Sequence, residues 1–386
     1  MVELSEREQE LPDLEIEKLI EIAVEHPEII SLGPGEPDFP AHKEIVAHTK
    51  KVAHLVNHYS PAGGLRELRE AIVKKLKKDN KIKASPDNVV VTCGSQEALM
   101  LATACCLDVS EQIILPDPGY MGFLPTCEMF NANPRFVKLR EEDDYSVNPD
   151  EVKKLINKKK TKVLLINSPS NPTGNVLSKK ILEELADIAV ENDLYIFSDE
   201  AYEKILYDKA KHHSIASFNG MEDYAVTFQT FSKSYAMCGY RLGYAVCNQE
   251  LANALKKTHI FSTVCAPTMS QLVGIKALKM GDKHVNQMKK EYDRRRKLIV
   301  PRLNELGISC PMPKGAFYAF GNIKSFDNSS KRFVKKMITE AKVAAVPGID
   351  FGPSGEGHVR FSFATDYKLI QKALGRLEPW LKRYKK

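Results

Sequence analysis

Between residues 89 and 247 one pattern repeats: a short apolar, β-branched run, a polar turn, then a helical stretch. Residues 89–92, 112–115, 135–139, 163–166 and 194–198 read as strands, and residues 98–102, 150–157 and 178–192 as helices between them. A strand such as Val163-Leu164-Leu165-Ile166 has no polar face, so it must be covered on both sides. Parallel strands joined by crossover helices achieve this. The pattern predicts an α/β fold with a mostly parallel central sheet and helices on both faces.

The flanks differ. Residues 13–27 predict an amphipathic helix with Leu14, Ile16, Leu19, Ile20, Ala23 and Val24 on its apolar face, ending at Pro27. A short strand over 29–32 and helices over 43–56 and 66–79 follow. Beyond about residue 285 a long charged helix (291–306) precedes strands at 316–320, 343–346 and 358–363 and helices at 331–341 and 368–382. This predicts a smaller α+β domain. A chain of 386 residues exceeds what one core usually serves. The expected division is a large domain over 45–285 and a small one built from 1–44 and 286–386.

The net charge of +6 arises from 56 basic and 50 acidic residues, and the runs at 158–160, 294–296 and 382–386 read as solvated helix faces and a tail. No basic stripe interleaved with aromatics appears, so nucleic acid is not an expected partner. The eight cysteines form no CxxC pair and the ten histidines no HExxH spacing, so reduced thiols and no metal site are expected. The first residues lack the pattern of a signal or transit peptide, and no run of about eighteen apolar residues occurs. A soluble, cytoplasmic protein without a membrane partner is expected.

The chemistry centres on Lys233, between strand-like residues 225–231 and 241–247. Burial between strands lowers a lysine's pKa and frees its amine as a nucleophile. Thr230, Ser232 and Arg241 nearby suit a phosphate dianion. An amine beside a phosphate site is what a pyridoxal phosphate Schiff base requires, although a lysine on a solvated turn explains the same residues. At Cys93-Gly94-Ser95-Gln96-Glu97 a strand turns into a helix, either as an anion site of free amides or as a plain N-cap by Ser95. The Gly33–Pro40 stretch is a rigid bend able to lie close to a ligand, or an ordinary connector; it does not fit GxGxxG, so nicotinamide binding is not indicated. Asn171, Asp199 and Lys233 all follow the C-terminal ends of strands, where open α/β sheets bind ligands, though Asp199 alone reads equally as a helix cap. Arg360, in mid-strand, needs an anion: a substrate or a structural salt bridge.

Taken together, stretches 33–39, 59–71, 171–174, 199–202, 231–241, 315–318 and 360–365 resemble the class I/II aminotransferases, the fold type I group of pyridoxal phosphate enzymes. The likeness covers nearly the whole chain in the family's order and is nearest to archaeal aromatic and aspartate-type enzymes. It implies that Lys233 is the Schiff-base lysine and that Asp199 pairs with the pyridine nitrogen. Asn171 and Tyr202 match partners of the ring's phenolic oxygen. Gly94, Ser95 and Gln96 match the phosphate-cradling amides, Ser232 and Arg241 its side-chain contacts with Thr230 assisting, and Tyr120 the aromatic that stacks on the ring. Gly35 and Arg360 resemble the contacts to the substrate α-carboxylate, which Asn171 joins. Tyr59 resembles the tyrosine that reaches the phosphate of the other subunit, so a homodimer with shared active sites is implied. Three stretches depart from the family: Met237-Cys238-Gly239-Tyr240, Phe39-Pro40-Ala41, and Gln96 where some acid-specific members carry lysine.

The expected activity is transfer of the amino group of an aromatic or aspartate-like L-amino acid to a 2-oxo acid, with 2-oxoglutarate as acceptor. Tyr120, Tyr240 and Phe261 are expected to line the substrate pocket. The rivals are a transaminase with another donor, such as alanine or diaminopimelate, and a carbon–sulfur β-lyase of the same fold. A Ser-Lys hydrolase is weaker, because Thr230 stands where SxxK needs serine and KTG is absent. A cofactor-sensing regulator would carry a DNA-binding module, for which the residues before Leu14 are expected to leave no room.

Overall fold

The structure, a computed structural model, describes residues 4–5, 8–9, 11–12 and 25–384. The helix expected over 13–27 lies, as far as residue 24, outside them. The central sheet is built from β2 (Val89–Thr92), β3 (Gln112–Asp117), β4 (Asn133–Lys138), β5 (Thr161–Asn167), β6 (Tyr195–Asp199), β7 (Ala225–Thr230) and β8 (Gly243–Val246), with β1 (Ile30–Ser31) elsewhere. Its order is β2-β8-β7-β6-β5-β3-β4. Neighbours from β7 through β4 run parallel, and β8 is antiparallel to both β7 and β2. The reversal follows from the link between β7 and β8, residues 231–242, which carries no crossover helix across the sheet face.

The crossover helices show why the local sequence folds as it does. In Lys179–Asn192, Leu182, Leu185, Ile188 and Ala189 recur at helical spacing and are buried. Ser178 caps its start by accepting from Ile181 N at 3.3 Å, and Asp193, at φ +54°, ends it.

The sequence expectation for the Lys233 region is corrected in detail. β7 stops at Thr230, whose hydroxyl accepts from Ser232 N at 3.1 Å and starts a helical turn, Phe231–Ser234. Lys233 therefore sits on that turn. The next strand begins at Gly243, because Arg241 takes a left-handed conformation at φ +52°.

A second sheet has the order β11-β12-β9, from β9 (Tyr318–Asn322), β11 (Val346–Pro347) and β12 (His358–Ser362), all antiparallel. β10 (Val343–Ala344) pairs in parallel with β1, Ile30 facing Val343. The single strand expected at 343–346 is thus two, parted at Ala345 between two sheets. Leu164, Ile166 and Ile196 of the central sheet share one apolar cluster with Phe317, Phe320 and Phe361. The helix Lys283–Glu305 runs across the expected division at 285. All eight cysteines are free, and among the described residues no helix is long and apolar enough to cross a membrane.

Candidate active site

A cavity of about 730 Å³ opens at the C-terminal ends of β5, β6 and β7. Every site residue expected from the sequence lines it except Tyr59, whose side chain lies on the surface with 83% of its area exposed. The expected pocket residues are corrected for two aromatics. Tyr240 places its hydroxyl 2.9 Å from Thr49 Oγ1, and Phe261 is 83% exposed on the outer face of its helix; neither lines the cavity.

Lys233 Nζ donates to the Gly35 carbonyl at 2.6 Å. Burial lowers its pKa; Cys238 and Glu36 oppose that shift, and Arg360 and Arg241 add to it. Asp199 ends β6 and accepts from Ala201 N at 3.1 Å, a turn contact that no helix continues. Burial pushes its carboxyl up to about 6, against the Ala201 bond and Lys233. The Tyr202 hydroxyl lies 2.6 Å from that of Tyr318, and burial with this neighbour holds the Tyr202 phenol well above its usual range.

The helix Ser95–Cys106 begins after Gly94, at φ +87°, and no side chain caps it. The capping position thus belongs to Gly94, and the first amides of the helix are left for a ligand. Arg241 closes this corner, donating through Nη1 to Cys238 O at 3.0 Å and through Nη2 to Cys93 O at 3.4 Å. Glycine suits the backbone angle at Gly94, and a Cβ there would lie 2.8 Å from Arg241 Nη2 and push the guanidinium aside. Thr230 and Ser232 join their hydroxyls at 3.0 Å beside it.

Arg360 is 1% exposed. It donates to Asn171 Oδ1 at 3.0 Å and to the Gly33 carbonyl at 2.7 Å, while its Nε is buried with no hydrogen-bond partner. Its guanidinium lies 4.4 Å from the Tyr318 ring centre and 4.8 Å from that of Phe351. The two oxygens it bonds belong to an amide and a peptide, and burial lowers its pKa. A buried fork held by neutral partners is poised for a carboxylate. A Cβ on Gly35 would come 2.9 Å from the Tyr318 hydroxyl, on the same wall.

The aminotransferase class I and II family profile matches residues 27–377. An aspartate aminotransferase of Pyrococcus abyssi is 44% identical over 96% of each chain. An aromatic-amino-acid aminotransferase of Thermococcus litoralis is 41% identical over 99% of each. The crystal structure of an aromatic aminotransferase from Pyrococcus horikoshii superposes with a TM-score of 0.90 at 43% identity, covering 95% of this chain and 99% of that one. The chain belongs to the class I and II aminotransferases.

This aminotransferase uses pyridoxal 5′-phosphate, and the cavity fits that group. Uncapped helix amides with Arg241 and two hydroxyls suit its phosphate, and the buried carboxylate of Asp199 suits a protonated pyridine nitrogen. Sequence reasoning missed the parts that Tyr318, Glu36, Cys238, Met121 and Phe228 play in the wall. Glu36, Cys238 and Tyr318 fall within the matched stretches 33–39, 231–241 and 315–318 and so had a visible signal; Met121 and Phe228 lie outside all of them.

Proposed function

We propose that this aminotransferase takes its amino group from an aromatic L-amino acid at least as readily as from aspartate, and gives it to a 2-oxo acid, with 2-oxoglutarate as acceptor. One observation carries the reading: among the described residues, the cations lining the cavity are Lys233, Arg241 and Arg360. Assigned to amine chemistry, phosphate and α-carboxylate, they leave none from the same chain for a side-chain carboxylate. Gln96 is occupied as well, donating to Thr126 Oγ1 at 3.1 Å. Leu99, Met121, Phe123 and Phe228 offer apolar wall instead. Aspartate is the second reading, favoured by the name of the Pyrococcus abyssi relative.

In this proposal the amides of Ser95 and Gln96 would hold the phosphate with Arg241, Thr230 and Ser232, and Tyr120 would pack on the ring. When bound, pyridoxal phosphate supplies an aldehyde that captures amines and a ring that spreads the electron pair left at the substrate Cα. Asp199 would hold a proton on the pyridine nitrogen. Asn171 and Tyr202 hold the phenolic oxygen, and Asn171 also braces Arg360. Arg360 and Gly35 grip the α-carboxylate, which fixes the orientation of the Cα–H bond. Lys233, whose charged form burial disfavours, would carry the cofactor on its amine and take the proton from Cα.

The proposal includes a homodimer in which Tyr59 serves the partner's phosphate. Leu55, Tyr59, Ile260 and Phe261 are exposed. Thr268 Oγ1, bonded to His58 O at 3.2 Å, holds the Tyr59 loop beside the chain that follows Phe261, so a second copy has an apolar face to cover. We also propose the domain division at 44/45 and 285/286, which the pairing of β1 with β10 supports, and a cytoplasmic location, which eight free thiols support. A panel of amino acids assayed against 2-oxoglutarate tests the donor. Tyrosine or phenylalanine should match or exceed aspartate, and activity with aspartate alone would refute the aromatic reading.

A further inference from the structure

Behind the phosphate-facing amides lies a pair that the reaction itself does not use. Glu97, third in the helix Ser95–Cys106, turns its carboxylate back so that Oε2 accepts from Cys93 N at 2.6 Å. Its Oε1 accepts from Thr263 Oγ1 at 2.7 Å and Ser262 Oγ at 3.2 Å. His259, 0% exposed on the helix Gln249–Ser262, places Nε2 3.2 Å from Glu97 Oε2. Its Nδ1 lies 2.8 Å from the Ala62 carbonyl. The Ala62 carbonyl can only accept, so Nδ1 carries hydrogen; Nε2 makes no hydrogen bond but stands at ion-pair distance from the Glu97 carboxylate, which favours the protonated ring.

We infer that Glu97 and His259 are positioning residues, an ion pair of a half-buried glutamate and a buried histidine that sets the Cys93–Gln96 phosphate cradle and ties it to the loop bearing Tyr59. The Cys93 peptide is pinned at both ends, its N–H by Glu97 and its carbonyl by Arg241 Nη2 at 3.4 Å. It lies two residues before the first of the amides proposed to hold the phosphate, and the inference rests on that reading of the cradle. On the other side Ala62 follows Tyr59 by three residues, so the histidine joins two segments distant in sequence. The groups facing His259 are Glu97 and Cys93 from the cradle and the Ala62 carbonyl from the loop, with Thr263 completing the shell around Glu97.

Each partner favours the charged form of the other. Burial alone would raise Glu97, but the bonds from His259, Cys93 and Thr263 bring it down to about 2. Burial alone would lower His259, but Cys93, Glu97 and Ala62 raise it to about 10. The histidine's contribution is complete below its ordinary range and is lost as pH rises through about 10. The carboxylate's is complete above its ordinary range and is lost as pH falls through about 2.

The test is a spectroscopic titration of the full chain, stripped of cofactor, with pyridoxal phosphate and with pyridoxal, which lacks the phosphate. Two variants are used: Glu97→Gln, nearly isosteric, and His259→Asn, whose amide can still donate to the Ala62 carbonyl. Each should weaken pyridoxal phosphate binding roughly 10- to 100-fold, as loss of a group supporting a ligating residue does, and pyridoxal binding less than about 3-fold. The double variant should be no worse than the weaker single one, because the pair acts as a unit. Equal losses for both ligands, or no loss for either, would reduce the pair to packing and overturn the inference. A wild-type protein that binds the two ligands equally well would remove the phosphate site itself, and the inference with it.

Discussion

At Asp199 the folded protein holds its proton more tightly than an unfolded chain would. Burial raises the carboxyl from an ordinary 3.8 to about 6, so the cofactor-free protein loses stability as pH rises through that window. The cost at neutral pH is ~2–3 kcal/mol. Asp199→Asn should therefore stabilise the cofactor-free protein at pH 7 and change little near pH 4, as read by urea unfolding across pH. The same variant should slow loss of the Cα proton roughly 100- to 1,000-fold, ~3–4 kcal/mol for a lost buried charge partner. A half-reaction rate within a small factor of wild type would leave Asp199 a turn residue. Arg360→Lys keeps the charge but loses the fork, so KM for the donor should rise about 10-fold or more, with the aromatic and aspartate donors affected alike. The position of each of these residues was legible from its place at a strand end or in mid-strand. Its partners were not. That Arg360 is held by Asn171 and the Gly33 carbonyl depends on segments far apart in the chain.

Among the elements, the turn from β2 into the helix Ser95–Cys106 is constrained at Gly94. Gly94 combines φ +87° with a Cβ position 2.8 Å from Arg241 Nη2. Gly94→Ala should cost about 1 kcal/mol of stability from backbone strain. It should weaken cofactor binding further by moving Arg241, and a spectroscopic titration would detect this. Unchanged affinity would show that Arg241 does not meet the phosphate. Strands such as β5 were readable because an uninterrupted apolar run needs cover on both faces. Their ends were less so. β7 stops one residue early because a Thr230 hydroxyl bond starts a helical turn, and the 343–346 run splits because its halves pair with β1 and β12, which no local pattern encodes. Tyr240 and Phe261 were misplaced for a related reason: aromatic identity does not say which face of an element meets the cavity.

For the molecule as a whole, the alternation of strands and helices was enough to give the architecture, while the partner-facing surface was implied only by resemblance. If Tyr59 serves the neighbouring subunit, mixing Lys233→Ala with Tyr59→Ala chains builds heterodimers with one doubly defective site and one intact site. With free subunit exchange about half of the dimers are mixed, so activity should return to roughly a quarter of wild type. The experiment requires that Tyr59→Ala alone be severely impaired, since one phosphate hydrogen bond contributes only ~1.5–3 kcal/mol. No recovery with confirmed exchange would place Tyr59 in service of its own subunit.

The central claim is that one amine, Lys233, carries the chemistry. Borohydride reduction of the yellow holoenzyme, followed by digestion and mass mapping, tests it most directly. The account predicts a single reduced cofactor adduct on the peptide containing Lys233, the residue whose Nζ lies 2.6 Å from the Gly35 carbonyl inside the cavity. An adduct on any other lysine, with Lys233 unmodified, would contradict it.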